Sequence, residues 1–138
     1  MTRYVVDASV MGPLIFEDEA KLLIASLPET LANGDCIVPA HWQFEVANQI
    51  LFGAKRGRIM PDEVEPILGA LAALPVDIDH ASIDFAWSKT HALAVNHQLT
   101  IYDAAYLELA LRLSLPLATF DKALTRAAIK SDIIIITA

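Results

Sequence analysis

The stretch YVVDAS, residues 4–9, sets the pattern from which the fold follows, because it is a short apolar run that ends in a carboxylate. The stretch LPLATFD, residues 115–121, has the same pattern near the other end of the chain. Short apolar runs bounded by turn residues are typical of buried strands. We predict five such strands, near residues 3–7, 35–39, 75–79, 115–119 and 133–137.

Segments with helical periodicity separate these strands. Strands that alternate with helices pair in parallel through right-handed crossovers. The sequence therefore predicts a single α/β domain over residues 1–138, a three-layer sandwich whose mainly parallel five-stranded sheet has helices on both faces. The predicted helices are Glu19–Leu27, Ala40–Ala54, Asp62–Leu74, Ala81–Val95, Tyr102–Leu113 and Asp121–Ile129.

The composition indicates a globular protein. Hydrophobic residues make up 55% of the 138 residues and charged residues 20%, which excludes a disordered chain. The mean hydropathy of +0.46 is high for a soluble monomer, so we expect apolar surface for a partner or a second copy, unless long buried helices absorb it. No apolar run is long enough for a bilayer, and we expect no signal peptide. A lone Cys36 allows no intrachain disulfide and fits a cytoplasmic location.

The net charge of −7 argues against a nucleic-acid partner, because attraction to phosphates supplies much of such binding. The distribution of the basic residues weakens this objection. One group is clustered and the other recurs every four residues, as on one face of a helix. Both groups have the alternative interpretation of solvated helix ends and faces. They are Lys55, Arg56 and Arg58, and Lys122, Arg126 and Lys130.

Four acidic residues lie at the edges of the predicted elements: Asp7, Glu45, Asp103 and Asp121. Ligands of an open parallel sheet bind beyond the carboxyl ends of its strands, which is where Asp7 and Asp121 fall. Asp103 falls in the first turn of a helix, where the helix dipole favours negative charge. The fold therefore predicts that these side chains converge.

Three of the four acids also have a structural interpretation. Asp7, together with Ser9, could cap the following helix, and Asp121 could cap its own. Glu45 lies on the polar side of its helix, which either faces solvent or lines a cleft. Asp103 is different, because its helical neighbours are apolar and no basic residue is close to it in sequence.

Taken together, the four acids require a positive partner. Two carboxylates about 4 Å apart repel by roughly 4 kcal/mol at an effective dielectric constant near 20. A cluster of four would be unstable or partly protonated without a counter-charge. Oxygen ligands without cysteine or clustered histidine suit Mg²⁺ or Mn²⁺ rather than zinc. We therefore expect a divalent cation at this site.

Other chemistries have little support in the sequence. The histidines, His41, His80, His91 and His97, form no pair at the helical spacing of a metal motif, and we expect them to be surface or structural residues. The five glycines match neither a phosphate-binding loop nor a dinucleotide fingerprint. Since Ser9 lacks a recognisable partner histidine and Cys36 falls in a predicted buried strand, no nucleophile with its base is indicated.

Four blocks of sequence together resemble a known family. They are VVDAS at 5–9, FEVAN at 44–48 after Pro39, LTIYDAAYLELA at 99–110 and LPLATFD at 115–121. The chain resembles the PIN-domain ribonucleases over essentially its whole length, and within them the VapC-type toxins of type II toxin–antitoxin pairs. The third block is the most specific. One departure is MGPL at 11–14, where many relatives have a basic residue that contacts substrate.

The resemblance implies an Mg²⁺-dependent endoribonuclease, with Mn²⁺ as a substitute, that hydrolyses RNA through a metal-activated water. It implies that Asp7 and Asp103 are direct metal ligands, that Glu45 and Asp121 bind directly or through water, and that Ser9 and Thr119 support the site. The two basic groups become candidates for contacting the RNA backbone. The resemblance also implies a homodimer and a cognate antitoxin, whose basic segment could enter the acidic pocket.

Two alternatives of other classes remain open at this point. A catalytically inactive PIN-like scaffold would bind RNA or protein without cutting. A receiver-like signalling domain is also an α/β chain with an acidic pocket, but it needs an acidic pair after the first strand. Here Ala8 and Ser9 follow Asp7, which disfavours the receiver.

Overall fold

The computed structural model describes residues 3–137 and confirms the α/β architecture. Its centre is a parallel sheet of four strands, which lie side by side in the order third, second, first, fourth. The first strand is central because Val5 pairs with Ile37 on one side and with Leu117 on the other. The strands are β1 (Tyr4–Val6), β2 (Cys36–Pro39), β3 (Asp77–Asp79) and β4 (Leu117–Ala118).

Helices cover both faces of this sheet. Tyr4 and Val6 point to one face and Val5 to the other, and none of the three is more than 2% exposed. The helices are α1 (Gly12–Ile15), α2 (Leu27–Ala32), α3 (Trp42–Lys55), α4 (Val64–Ala72), α5 (Lys89–His97), α6 (Ile101–Leu113) and α7 (Lys122–Lys130). Short 3-10 helices lie at Ala8–Met11, Glu17–Leu22, Pro61–Glu63 and His80–Phe85.

The prediction of a fifth strand at 133–137 is wrong. In the described chain this segment makes one isolated bridge, between Ile135 and Leu117. The backbone N–H of Leu117 donates to Ile134 and that of Ile136 donates to Leu117, both at 2.9 Å. The apolar run lies beside β4, but β4 is only two residues long and offers no further partners for a strand.

Two predicted helices are also different in the structure. The segment predicted as Glu19–Leu27 is a 3-10 helix that ends at Leu22, and α2 begins only at Leu27, with Pro28 in its first turn. The segment predicted as 81–95 is a 3-10 helix followed by α5. The Ser82 hydroxyl donates to the carbonyl of Asp79 at 2.8 Å and accepts from the N–H of Ala40 at 3.1 Å, which fixes this turn at the end of β3.

A buried ion cluster joins α6 to the end of β3. Glu108 is 2% exposed and accepts two hydrogen bonds from Arg112, at 2.8 and 3.0 Å. The same guanidinium donates to Asp79 and lies 4.7 Å from the centre of the Phe85 ring. Sequence analysis did not identify this cluster, because Glu108 lies in an otherwise apolar stretch.

The expected apolar surface is present. The side chains of Trp87 and Phe44 are 98% and 80% exposed, and α4 buries none of its residues although most of them are apolar. Among residues 3–137 there is no helix with the length and apolar character needed to cross a membrane.

Candidate active site

The four acidic residues gather at the carboxyl edge of the sheet. Asp7 directly follows β1, and its backbone N–H donates to Ala118 of β4 at 2.9 Å, which holds the two strand ends together. The charges of Glu45 and Asp103 act on Asp7, and those of Asp121 and Glu45 act on Asp103. The structure thus brings all four carboxylates into one electrostatic neighbourhood.

Asp7 is the most deeply buried of the four, at 4% exposure. One carboxylate oxygen accepts hydrogen bonds from Ser9 at 2.6 Å and Thr119 at 2.7 Å. Burial raises the pKa of Asp7 to about 6, which the two hydroxyls oppose and the charges of Glu45 and Asp103 reinforce. Its side chain caps no helix, so the capping interpretation does not hold for Asp7.

The two supporting hydroxyls are themselves fixed by backbone groups. The Ser9 hydroxyl accepts from the N–H of Phe120 at 2.9 Å, and the Thr119 hydroxyl accepts from the N–H of Asp121 at 3.0 Å. Each hydroxyl can therefore donate its own proton in a hydrogen bond to the Asp7 carboxylate. The predicted positions of Ser9 and Thr119 beside the acidic site agree with this arrangement.

Glu45 is half-buried against Tyr106 rather than fully exposed on the polar side of α3. The Tyr106 hydroxyl donates to its Oε1. His41 Nε2 lies 3.3 Å from the same oxygen, but its alignment leaves this buried nitrogen without a well-formed hydrogen bond, so Tyr106 is the better partner. Burial raises the pKa of Glu45, but His41 and Tyr106 together outweigh burial and bring it below its usual value.

Asp103 lies in the first turn of α6, as predicted. Its N–H donates to the Thr100 hydroxyl at 3.1 Å, so Thr100 caps the helix. Burial raises the pKa of the Asp103 carboxyl, and the charges of Asp121 and Glu45 raise it further.

Asp121 has two roles in this structure. Its carboxylate accepts from the N–H of Leu124 at 2.7 Å and so caps α7, which confirms the structural interpretation. The same carboxylate also acts electrostatically on Asp103. The cap orients this carboxylate toward its own helix.

The model of the PIN domain family matches residues 4–130, which include all four acids. The chain belongs to the PIN domain family. This membership decides against the receiver-like alternative.

Named relatives of this PIN domain are of the VapC type. Ribonuclease VapC3 of Pyrobaculum aerophilum is 35% identical over 126 residues, which cover 88% of this chain and 92% of that protein. Ribonuclease VapC1 of Mycobacterium tuberculosis is 30% identical over 137 residues, which cover 92% of each.

Two solved structures share the fold. The crystal structure of PAE2754 from Pyrobaculum aerophilum has a TM-score of 0.69 at 21% identity and covers 98% of this chain and 90% of that chain. The crystal structure of FitAcB from Neisseria gonorrhoeae has a TM-score of 0.61 at 17% identity and covers 96% of each chain.

The donor chemistry of the PIN site fits Mg²⁺ or Mn²⁺, since all four side chains offer carboxylate oxygens. Within residues 3–137, however, no group of three or more His, Cys, Asp or Glu side chains is arranged so that it could hold a metal ion. Glu45 accepts a hydrogen bond from Tyr106, and Asp121 accepts one from the N–H of Leu124. A cation must therefore compete with protein donors for these two carboxylates.

The predicted basic residues of the PIN domain differ in their availability. The Arg58 guanidinium pairs with Asp18 at 2.7 Å and Glu19 at 2.6 Å, so its charge is already compensated. Lys55 and Arg56 are exposed beside the ring of Phe52. A cleft of about 290 Å³ runs from Ser9 to Arg56. The other predicted group, Lys122, Arg126 and Lys130, is exposed along α7.

Sequence analysis missed three residues of the PIN site: His41, Gln49 and Tyr106. Gln49 donates to the carbonyl of Ala8 at 2.8 Å and so links α3 to the turn after β1. Positions 41, 45 and 49 are four residues apart and thus share a face of α3, which is the signal that could have identified the first two. Tyr106 had only a weak signal, its place three residues after Asp103.

Proposed function

We propose that this PIN domain is an Mg²⁺-dependent endoribonuclease, the toxin of a type II toxin–antitoxin pair. The observation that supports it best is the gathering of four carboxylates at the carboxyl edge of the sheet, with the nearly inaccessible Asp7 among them. Perturbed acids of this kind are typical of functional sites. The activity named for the two VapC relatives gives the substrate class.

In this proposal Asp7 and Asp103 bind the cation directly, and Glu45 and Asp121 bind directly or through water. The bound cation would supply a water of lowered pKa as nucleophile and positive charge beside the scissile phosphate. Ser9 and Thr119 orient the Asp7 carboxylate by donating to one of its oxygens. Tyr106 limits the rotation of Glu45 by its hydrogen bond.

The proposed partners are RNA, a cognate antitoxin and a second copy of the chain, in the cytoplasm. Exposed apolar side chains such as Phe44 and Trp87 offer surface for a protein partner. The net charge of −7 favours an antitoxin with a basic segment.

The decisive experiment compares Asp103→Asn with Asp62→Asn, an exposed aspartate of the 3-10 helix before α4. RNA cleavage is followed with Mg²⁺ and with EDTA. We expect Asp103→Asn to lower the rate at least about 100-fold, Asp62→Asn to leave it unchanged, and EDTA to abolish it. Undiminished cleavage by a folded Asp103→Asn protein would rule out the proposed site.

A second candidate is an inactive scaffold, which is favoured by the absence of a preassembled metal group in the described part of the chain. Such a protein would bind RNA equally well with Mg²⁺ and with EDTA and would leave it intact. Sequencing RNA ends after induction in cells distinguishes the two, because only a nuclease produces new ends at preferred sites.

A further inference from the structure

A polar cavity of about 260 Å³ lies between the end of α5 and the outer side of α7, and we name it the α5–α7 pocket. Asn96, His97 and Gln98 line one side of it, and Arg126 and Lys130 line the other. The remaining lining residues are two alanines of α7. The volume is several times the roughly 30 Å³ that one water occupies in the liquid, so a phosphate group can enter.

The chemistry of the α5–α7 pocket is that of an anion site. None of its lining residues is acidic, although the chain as a whole has a net charge of −7. Arg126 and Lys130 are four residues apart, so both reach the same point beside the helix. Guanidinium, ammonium and side-chain amide groups all donate hydrogen bonds to phosphate oxygens.

The two cations of the pocket are also available. Three of the five arginines in the chain are paired with carboxylates, namely Arg3, Arg58 and Arg112. By contrast, no carboxylate of residues 3–137 forms an ion pair with Arg126 or Lys130. Their charge is therefore free for an external ligand.

Two short connections along the chain link the α5–α7 pocket to the acidic site. Gln98 has a left-handed backbone, with φ of 56°, and turns the chain from α5 toward Thr100, the cap of the helix that holds Asp103. On the other side, Arg126 follows Asp121 by five residues, about 7.5 Å along the helix at 1.5 Å per residue. One RNA strand can bridge these two positions.

We propose that the α5–α7 pocket binds a backbone phosphate of RNA close to the scissile phosphate. This inference rests on the proposed ribonuclease function and adds a subsite to it. Arg126 and Lys130 bind the phosphate oxygens, and Asn96 and Gln98 donate further hydrogen bonds. Because a phosphate contact has no base preference, the pocket adds affinity for RNA of any sequence.

The test measures RNA binding without cleavage. A fluorescently labelled single-stranded oligoribonucleotide is titrated with the Asp103→Asn protein between about 50 and 200 mM salt, a range over which phosphate contacts weaken strongly. The test variant adds Arg126→Gln and Lys130→Gln. The matched control adds Lys21→Gln and Lys89→Gln, exposed lysines outside the pocket, and so removes the same total charge.

We expect the pocket variant to bind more weakly and to lower the slope of log K against log salt by about 0.7 for each phosphate that the protein no longer neutralises. The control should keep the slope of its parent. A second variant, Ala123→Glu, puts a carboxylate into the pocket and leaves both cations in place, and it should weaken binding as well. If the pocket variant keeps the salt slope of its parent, the inference is wrong. This holds even if the variant has lost binding to an acidic protein segment, since the pocket would then serve a protein and not RNA.

An active-enzyme measurement separates this inference from the proposed function. With Asp103 intact, the pocket variant should raise KM and leave kcat nearly unchanged, since the pocket does not touch the reacting bond. A lower kcat at unchanged KM would overturn the inference. If the unsubstituted chain cleaves no RNA, the proposed function fails, while the binding slopes still decide whether the pocket contacts RNA.

Discussion

Replacement of Asp7 by Asn should stabilise the metal-free protein while it removes the proposed activity. Asp7 has a pKa of about 6 in the folded chain against an ordinary value of 3.8. At about 1.4 kcal/mol per pKa unit, ionised Asp7 destabilises the fold by about 3 kcal/mol. Asn removes this charge but loses part of the hydrogen bonding to Ser9 and Thr119, worth about 1 kcal/mol. We expect a net gain of about 1–2 kcal/mol in the free energy of unfolding.

The stability difference between Asp7→Asn and the unsubstituted protein should depend on pH. The folded pKa of Asp7 is raised, so the group imposes no penalty below 3.8, a growing penalty between 3.8 and about 6, and the full penalty above that. Urea unfolding with EDTA should therefore show the largest advantage of Asp7→Asn well above pH 6 and almost none near pH 4. Mg²⁺ should stabilise the unsubstituted protein by mass action but should not stabilise the variant. The difference between their free energies of unfolding should therefore be smaller with Mg²⁺ than with EDTA.

The matched control is Asp121→Asn at the same edge of the sheet. Because Asn caps helices about as well as Asp, this variant should show little change in stability, whereas Asp121→Ala should lose about 1 kcal/mol. If Asp7→Asn is less stable than its parent above pH 6 in EDTA, or gains equally at both pH values, burial of the charge is not the dominant effect at Asp7.

Three further predictions concern the fold. Arg112→Met leaves Glu108 and Asp79 without their counter-charge, and urea unfolding should show a loss of about 3–5 kcal/mol; a loss below 1 kcal/mol would contradict it. Gly53→Ala places a methyl group against the Phe16 ring and should cost about 1–3 kcal/mol, while Gly69→Ala, with open space around it, should gain about 0.5–1 kcal/mol. Burial raises the pKa of the Cys36 thiol to about 12, so iodoacetamide should label it only in urea; rapid labelling of the native protein would show that β2 is accessible.

The parts of the fold that sequence analysis predicted are those set by local information. An apolar run that ends in a carboxylate indicated where β1 and β4 end, and the helix predicted from Tyr102 begins one residue earlier, at Ile101. The run of four isoleucines at 133–136 consists of residues that favour strands, yet it forms only a bridge. The reason that this run forms no strand is non-local, because the length of a strand depends on its partner and β4 has only two residues.

The candidate site shows the same limit. The acidic residues and their common edge followed from the predicted sheet, but the bond from Tyr106 to Glu45 joins residues 61 positions apart. Helical periodicity predicts a buried stripe on α3, formed by Val46, Ala47, Ile50, Leu51 and Ala54, and this prediction is only partly right. Val46 and Ile50 are buried as expected, whereas Leu51 is 52% exposed. Periodicity gives a face of a helix, but only the packed neighbours decide how wide its buried part is.

The four carboxylates are not equal, and their inequality indicates where a cation would stabilise the site most. Tyr106 and His41 lower the pKa of Glu45, and the N–H of Leu124 binds Asp121. Asp7 and Asp103 are the two whose pKa is raised by burial and by neighbouring carboxylates. A cation gains most where negative charge is least compensated. The residues that the family resemblance ranks as direct ligands are thus the two whose charged form is destabilised by burial and by neighbouring carboxylates in this chain.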